Sequence, residues 1–444
     1  MFEIALKDFR GFKKTNFVQI RPITLLVGEN SAGKSSFLAA MKFAFDFSSG
    51  NQEPSFNKDP FQLGTFQQIS HYRGGRAGRA REFQISIRSS VAAPRRNDRS
   101  DREIKDVLLN IRFGNTDSQA VISAVEIWVD GSVIRLTLSD SRIHVQFVAE
   151  DGQQHFLPDD IGFPRVVRSE FARYWPILLR DLGFRFRRRD RQAEGLFGED
   201  LDSRISTIAD FAQSLAREFS GHVEATSAIR TKPRRTYTPG AETRDGEGSH
   251  VPFEMAKLYR AKNKEPWRKL KSSVDEFGKS SQMFRELTIK SFGQNASDPF
   301  QIQFSSDGPK TNIVDLGYGT SQILPILYDV STAPARTRFL IQQPEVHLHP
   351  KAQAALGTYF VQSYINSGKN FVLETHSDFI VDRVRMAVAQ GFLNARDVCL
   401  LFFEREQLEN TITHIELDES GAPVNPPNSY RSFFLDEQMR VLGF

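Results

Sequence analysis

The run Gly28-Glu29-Asn30-Ser31-Ala32-Gly33-Lys34-Ser35 constrains this chain more than any other stretch, because it fits the pattern G-x-x-x-x-G-K-[ST]. The glycines let the backbone turn tightly, so that consecutive N–H groups point inward at phosphate oxygens. Lys34 is placed to reach β and γ phosphates, and the Ser35 hydroxyl to ligate Mg²⁺. The flanks suit the motif. Ile23-Thr24-Leu25-Leu26-Val27 is a short apolar run fit for a buried parallel strand, and residues 36–47 carry Phe37, Leu38, Met41, Ala44 and Phe45 at helical spacing. Strand, loop and helix follow in the required order, and Ser36 completes the candidate phosphate-binding set.

With 444 residues the chain has material for one large domain or two to three ordinary ones. No apolar run approaches the length that crosses a bilayer, and the first residues lack the layout of a secretory signal. The lone Cys399 sits in the apolar run Val398-Cys399-Leu400-Leu401-Phe402-Phe403, as expected of a buried strand residue in a reduced, cytoplasmic protein. The net charge of +4 is modest, but the arginines cluster. Arg73, Arg76, Arg79 and Arg81 form one group, and Arg95, Arg96, Arg99 and Arg102 a second. Arg185, Arg187, Arg188, Arg189 and Arg191 form a third, and Arg230, Lys232, Arg234 and Arg235 a fourth. Each fits either a nucleic-acid backbone or a solvated, ion-paired face.

Three parts are expected along the chain: an N-terminal part of a nucleotide-binding head with a β lobe (residues 1–160), a helical insertion (161–285) and the C-terminal part of the head (286–444). Alternating runs at 83–87, 107–111, 125–129, 133–138 and 143–147, with turns at Asp130-Gly131 and Asp151-Gly152, predict an antiparallel lobe. Helical faces are predicted from Phe171, Tyr174, Trp175, Leu178 and Leu179, from Ile205, Ile208, Phe211 and Leu215, and around residues 267–277, with a last helix from Tyr430 to the end of the chain. No sustained heptad supports a coiled-coil arm.

The residues that narrow the function lie at 311–380. Gly317-Tyr318-Gly319-Thr320-Ser321-Gln322 is a glycine turn running into an apolar helix, whose exposed N–H groups suit a phosphate. Two further strand-like runs end in polar groups, one in Gln342-Gln343-Pro344-Glu345-Val346-His347-Leu348-His349-Pro350 and one in Glu374-Thr375-His376-Ser377. Such strand ends are where an α/β sheet places its ligand. His347 and His349 fit packing beside Pro350 better than metal ligation.

These four ordered blocks, covering most of the chain, resemble ATPases with ABC-type heads, specifically the RecF/OLD-like group called AAA family ATPases in bacteria. The resemblance implies an α/β ABC-ATPase-type P-loop head with an antiparallel β lobe and an inserted helical subdomain. It implies ATP and Mg²⁺ as ligands, sandwiched between two copies that self-associate as a dimer or higher oligomer. Gly319 and Ser321 would contact the γ phosphate across that interface; Gln67 or Gln68 would sense Mg²⁺, and His376 would be the switch histidine.

One departure matters. The strand 339–341 is followed in this group by a carboxylate that organises Mg²⁺ and often by a second that polarises water, yet this chain has Gln342 and Gln343. An amide keeps the size of a carboxylate but loses its charge and its ability to take a proton. Hydrolysis is therefore expected to be impaired. Glu345 is the nearest substitute, although the turn at Pro344 can direct it away. The resemblance further implies a regulator paired with a separate effector protein in bacterial anti-phage defence, with no membrane partner. A DNA-clamping repair ATPase is the competing reading, favoured by the arginines, and a nuclease using Asp245 and Glu247 is a third.

Overall fold

The computed structural model describes residues 2–49, 54–93, 103–139, 142–156, 175, 199–240, 243–293 and 295–430. Arg95, Arg96, Arg99, Arg102, the group from Arg185 to Arg191, Phe171, Tyr174, Leu178, Leu179 and the final helix beyond Tyr430 lie outside the described residues.

In chain order, β1 (Phe2–Phe9), β2 (Phe12–Lys14) and β3 (Val18–Ile20) precede β4 (Ile23–Gly28) and helix α1 (Lys34–Ser49). A short helix α2 (Phe66–Ile69) leads into β5 (Phe83–Ala92), β6 (Ile104–Thr116), β7 (Gln119–Val129), β8 (Ser132–Ser139), β9 (Arg142–Val148) and β10 (Gln154–Phe156). Then come α3 (Glu199–Phe219), β11 (Val223–Thr226), α4 (Val251–Arg260), α5 (Glu265–Ser281), β12 (Glu286–Ser291), β13 (Phe300–Ser305) and β14 (Thr311–Asn312). The last stretch alternates helix and strand: α6 (Tyr318–Thr332), β15 (Arg338–Gln342), α7 (Pro350–Ser367), β16 (Asn370–Glu374), α8 (Asp378–Ala389) and β17 (Val398–Glu406). It closes with β18 (Glu409–Leu417) and β19 (Pro423–Val424).

The alternating runs become a nine-stranded antiparallel sheet, ordered β10-β9-β8-β7-β6-β5-β1-β2 with β3 also on β1. Its β7–β8 turn sits at Asp130-Gly131, where φ is 49° and 75°, the two positive values a type I′ hairpin needs. Asp117-Ser118 repeats this geometry at the β6–β7 turn with φ of 50° and 65°, a turn the sequence does not advertise because it has no glycine.

The apolar runs instead form the sheet β11-β15-β16-β4-β17-β18-β19, parallel from β11 through β17. Parallel strands are buried on both faces, and β4 shows the consequence: all six of its residues are buried. Leu26 joins a core shared with the antiparallel sheet, α1 and α3, while its neighbours Leu25 and Val27 join a second core with α4 through α8. The parallel sheet is thus the middle layer of the molecule. Much of the first core is phenylalanine: Phe43 stacks on Phe56 at 4.3 Å and Phe83 on Phe113 at 4.5 Å. Truncating such a ring to alanine costs about 3–5 kcal/mol.

The predicted faces at Ile205, Ile208, Phe211, Leu215 and at Trp267, Leu270, Val274, Phe277 are buried, and Trp175 stacks on Phe47 with its indole N–H donating to the Phe47 carbonyl at 2.9 Å. Within 161–285, however, the described pieces go to three places. Helix α3 packs in the first core, β11 pairs with β15, and α4 and α5 pack in the second core.

Candidate functional site

Because β4, β16 and β15 run parallel and adjacent, their C-terminal ends open at one edge of the middle layer. The motif loop leaves β4 there. Gly28 adopts φ of 120°, and a Cβ on it would lie 2.1 Å from the Phe403 carbonyl oxygen of β17. Gly33 adopts φ of 96° with Asn410 and the Phe12 ring pressed against it. Both positions therefore admit only glycine. Glu29, Asn30 and Ser31 are exposed at the tip, Ala32 is buried beneath them, and Ser35 and Ser36 open the first turn of α1.

Lys34 is only 3% exposed. Its Nζ donates to the carbonyls of Gly28 at 2.9 Å and Glu29 at 2.6 Å. Burial lowers its pKa, opposed by the charges of Glu374, Glu29 and Glu345. The Ser35 hydroxyl donates to both carboxylate oxygens of Glu374, at 2.9 and 2.8 Å. Glu374 ends β16, directly beside Gln342 in the strand register. Burial and the nearby Glu345 raise its pKa, while Ser35 and Lys34 pull it back.

Gln342 faces the other way. Its Oε1 accepts from the Ala228 N–H at 3.2 Å, on the segment after β11. The Gln343 N–H donates to the Glu374 carbonyl at 2.8 Å, with φ of 40° starting the turn. That turn brings Glu345 inward rather than away, which corrects the expectation from Pro344. Glu345 is buried; its Oε1 accepts from the His376 N–H at 2.7 Å, and its Oε2 has no hydrogen-bond partner among the described residues. Burial raises its pKa. His376 is shifted down by burial and by Lys34, so its ring is neutral near pH 7.

Arg230, counted in the sequence among surface arginines, is 2% exposed. Its Nη2 donates to the carbonyls of Gln342 and Gln343 at 3.1 Å each, which fixes the turn from behind. Burial brings its pKa down to about 10, with Glu345 opposing.

Other expected site residues lie apart from this cluster. Gln67 is exposed on α2, and Gln68 closes a capping box, its Oε1 accepting from the Thr65 N–H at 2.7 Å. Gly319 and Ser321 are buried, not presented: Gly319 abuts the His347 carbonyl, and the Ser321 hydroxyl donates to the Tyr318 carbonyl at 2.7 Å. The accessible residues of that turn are Gly317 and Tyr318, whose ring meets His347 edge-on at 4.8 Å. His349 caps α7, its Nδ1 accepting from the Ala352 N–H at 3.4 Å. Asp245 accepts from the Ser249 N–H at 2.9 Å, so it closes a turn instead of joining an acidic centre. Among the described residues no three His, Cys, Asp or Glu side chains gather as a metal-binding group. Arg73 pairs with Asp8 at 3.1 Å, Arg79 donates to the Ser70 carbonyl, and Arg235 pairs with Asp315.

The sequence reading missed Glu374 and Arg230 as site residues. Glu374 had a signal, an acidic residue ending an otherwise apolar run beside Thr375 and His376. Arg230 had none beyond its cluster, since nothing local tells a buried arginine from a solvated one.

The architecture is that of an α/β ABC-type P-loop head with an antiparallel β lobe, and no described helix is long and apolar enough to cross a membrane. No curated protein matches the chain. Among solved structures, an Smc head bound to the C-winged helix domain of ScpA aligns at 12% identity and a TM-score of 0.45, over 94% of this chain and 98% of that one. An Smc head with an extended coiled coil bound to the ScpA C-terminal domain, from Pyrococcus furiosus, gives 12% and 0.44 over 100% and 99%. The SMC head domain from Thermotoga maritima gives 10% and 0.38 over 94% and 98%. Residues 23–382 match the family described as "AAA domain, putative AbiEii toxin, Type IV TA system", and the chain belongs to that family of AAA-domain ATPases.

Proposed function

We propose that this protein binds Mg²⁺ and ATP on the 28–36 loop and acts as a nucleotide-gated ABC-type head, pairing with a second copy and passing that state to a separate effector. The observation that carries this reading is the buried Lys34, held by loop carbonyls among Glu29, Glu345 and Glu374 at the mouth of three parallel strands. A cation in such a setting exchanges its loop carbonyls for phosphate oxygens at little desolvation penalty. The tip amides of Asn30 and Ser31 add donors, while the Glu29 N–H is spent on the Phe403 carbonyl, and the His376 ring offers a hydrogen bond to the terminal phosphate. The donor set fits Mg²⁺, a hard cation that takes hydroxyl and carboxylate oxygens alongside phosphates. When bound it neutralises charge on the β and γ phosphate oxygens.

Turnover is slow in this reading. Gln343 cannot accept a proton, and Glu345, the carboxylate whose raised pKa suits a general base, has one oxygen held by the His376 N–H. The exposed Gly317 and Tyr318, at the N-terminus of α6, face the second copy in place of Ser321. Residues 1–160 and 286–444 build the head together with β11, which adds an edge strand to its parallel sheet. The effector, and a role in anti-phage defence, rest on the resemblance to nuclease-free RecF/OLD-like ATPases.

Calorimetry with ATP and light scattering with and without it test the reading. We expect binding and a nucleotide-dependent rise in mass, with Lys34→Ala losing at least about 100-fold in affinity. Unchanged affinity in Lys34→Ala would overturn it. DNA affinity that falls steeply with salt and depends on ATP would favour the clamp reading instead.

A further inference from the structure

We infer that Glu374 is the carboxylate that holds the nucleotide's divalent cation, replacing the charge absent at Gln342. The inference deepens the ATP-binding reading above and rests on it.

Three observations converge. The Ser35 hydroxyl, the group on the phosphate loop suited to a hard cation, donates to both oxygens of Glu374. Gln342 and Glu374 are register partners at the ends of adjacent parallel strands, so a carboxylate has one strand-end position in place of another. Gln342 meanwhile turns toward β11 and accepts from the Ala228 N–H, on the far side of β15 from the loop.

The sheet order explains why the exchange works. β16 stands between β15 and β4, so a side chain ending β16 starts one strand spacing, about 4.8 Å, nearer the loop than one ending β15. Glu374 therefore reaches Ser35 directly. A second buried carboxylate, Glu345, has no hydrogen-bond partner for Oε2 among the described residues, and its charge is felt by both Lys34 and Glu374. The two carboxylates share this corner with the buried cations Lys34 and Arg230, so the charges balance before a nucleotide arrives, and the phosphates of a bound nucleotide bring the negative charge that a divalent cation would offset. One or two carboxylates with phosphates and waters are the usual environment of nucleotide-bound Mg²⁺.

The chemistry does not require Gln342 to bear a charge. Its amide anchors β15 to the β11 segment, and a glutamate there would accept the same Ala228 N–H.

The test is ATP affinity by calorimetry, measured in Mg²⁺ and in EDTA, for the parent, Glu374→Gln and Gln342→Glu. In the parent, Mg²⁺ should tighten ATP by about tenfold or more. Glu374→Gln should lose that gain while keeping, or improving, its affinity in EDTA, because one negative charge near the phosphates is gone. Gln342→Glu should leave the gain within about twofold. A full Mg²⁺ gain in Glu374→Gln, or its loss in Gln342→Glu, overturns the assignment while ATP binding stands. A parent that binds no ATP under either condition overturns the ATP reading itself. Affinity in EDTA and the thermal melt report folding; if Glu374→Gln does not fold, Glu374→Asp replaces it, its shorter arm reducing the Mg²⁺ gain by several-fold, and an undiminished gain in it also overturns the assignment.

Discussion

Two buried glutamates, one in the antiparallel lobe and one at the parallel strand ends, meet opposite treatment. Glu126 on β7 is 1% exposed. Its Oε1 accepts from Arg135 at 2.8 Å and Arg112 at 2.9 Å, and its Oε2 from Asn110 at 3.4 Å. Burial alone would raise its pKa, but these partners more than reverse that and hold it below the ordinary value. Glu345 is similarly buried, yet Oε2 has no hydrogen-bond partner among the described residues, and burial prevails to raise its pKa. A charge whose partners are all inside the fold serves the fold. One left incomplete at a strand-end opening keeps capacity for a ligand.

The largest effect expected from this contrast is on stability. Glu126→Gln should destabilise the protein by about 2 kcal/mol in urea unfolding, because both arginines lose their shared anion. The sign with pH follows from the lowered folded pKa. Its contribution is present above the unfolded glutamate value of 4.5 and lost as pH falls through the lower folded value. The variant's deficit should therefore be full at pH 7 and shrink below about pH 4; a deficit that stays constant would break the comparison.

Glu345→Gln should change stability by less than about 1 kcal/mol, since relief from burial and from Glu374 offsets the lost attraction to Arg230. ATP turnover in it should nonetheless fall by about 100-fold or more, measured by phosphate release. A stability loss as large as that of Glu126→Gln would mean Glu345 is a structural ion-pair partner after all. The smallest effect belongs to Cys399, an uncharged and fully buried group near the start of β17. Burial pushes its thiol up to about 11, so it should stay protonated and unlabelled by iodoacetamide at pH 8 until the protein unfolds. Rapid labelling of the native protein would show that the interior strand is more open than the strand ends.

The loop was legible because its constraint is local. Gly28 and Gly33 carry positive φ within a few residues of the groups they serve, and the apolar runs on either side fixed strand and helix. The antiparallel lobe was legible for a similar reason, as alternation and Asp-Gly turns need no distant information. Asp117-Ser118 escaped notice because its left-handed backbone is imposed by the pairing of β6 with β7 rather than announced by glycine. The burial of Ser321 in the first turn of α6, with Gly317 and Tyr318 at the surface, was not legible because it depends on how that helix packs.

The sequence by itself determined that a phosphate loop, a glycine turn and two polar strand ends occur in order, and that Gln342 and Gln343 stand where carboxylates are expected. Those are statements about residues near one another in the chain. Only the tertiary structure decided where the charge goes, because strand order and register join residues far apart in sequence. With β16 between β15 and β4, Glu374 faces Ser35 across 339 positions while Gln342 turns to Ala228, and the turn after Gln343 carries Glu345 inward to His376. A side chain reaches only its spatial neighbours, and here those neighbours are set by the order of the strands.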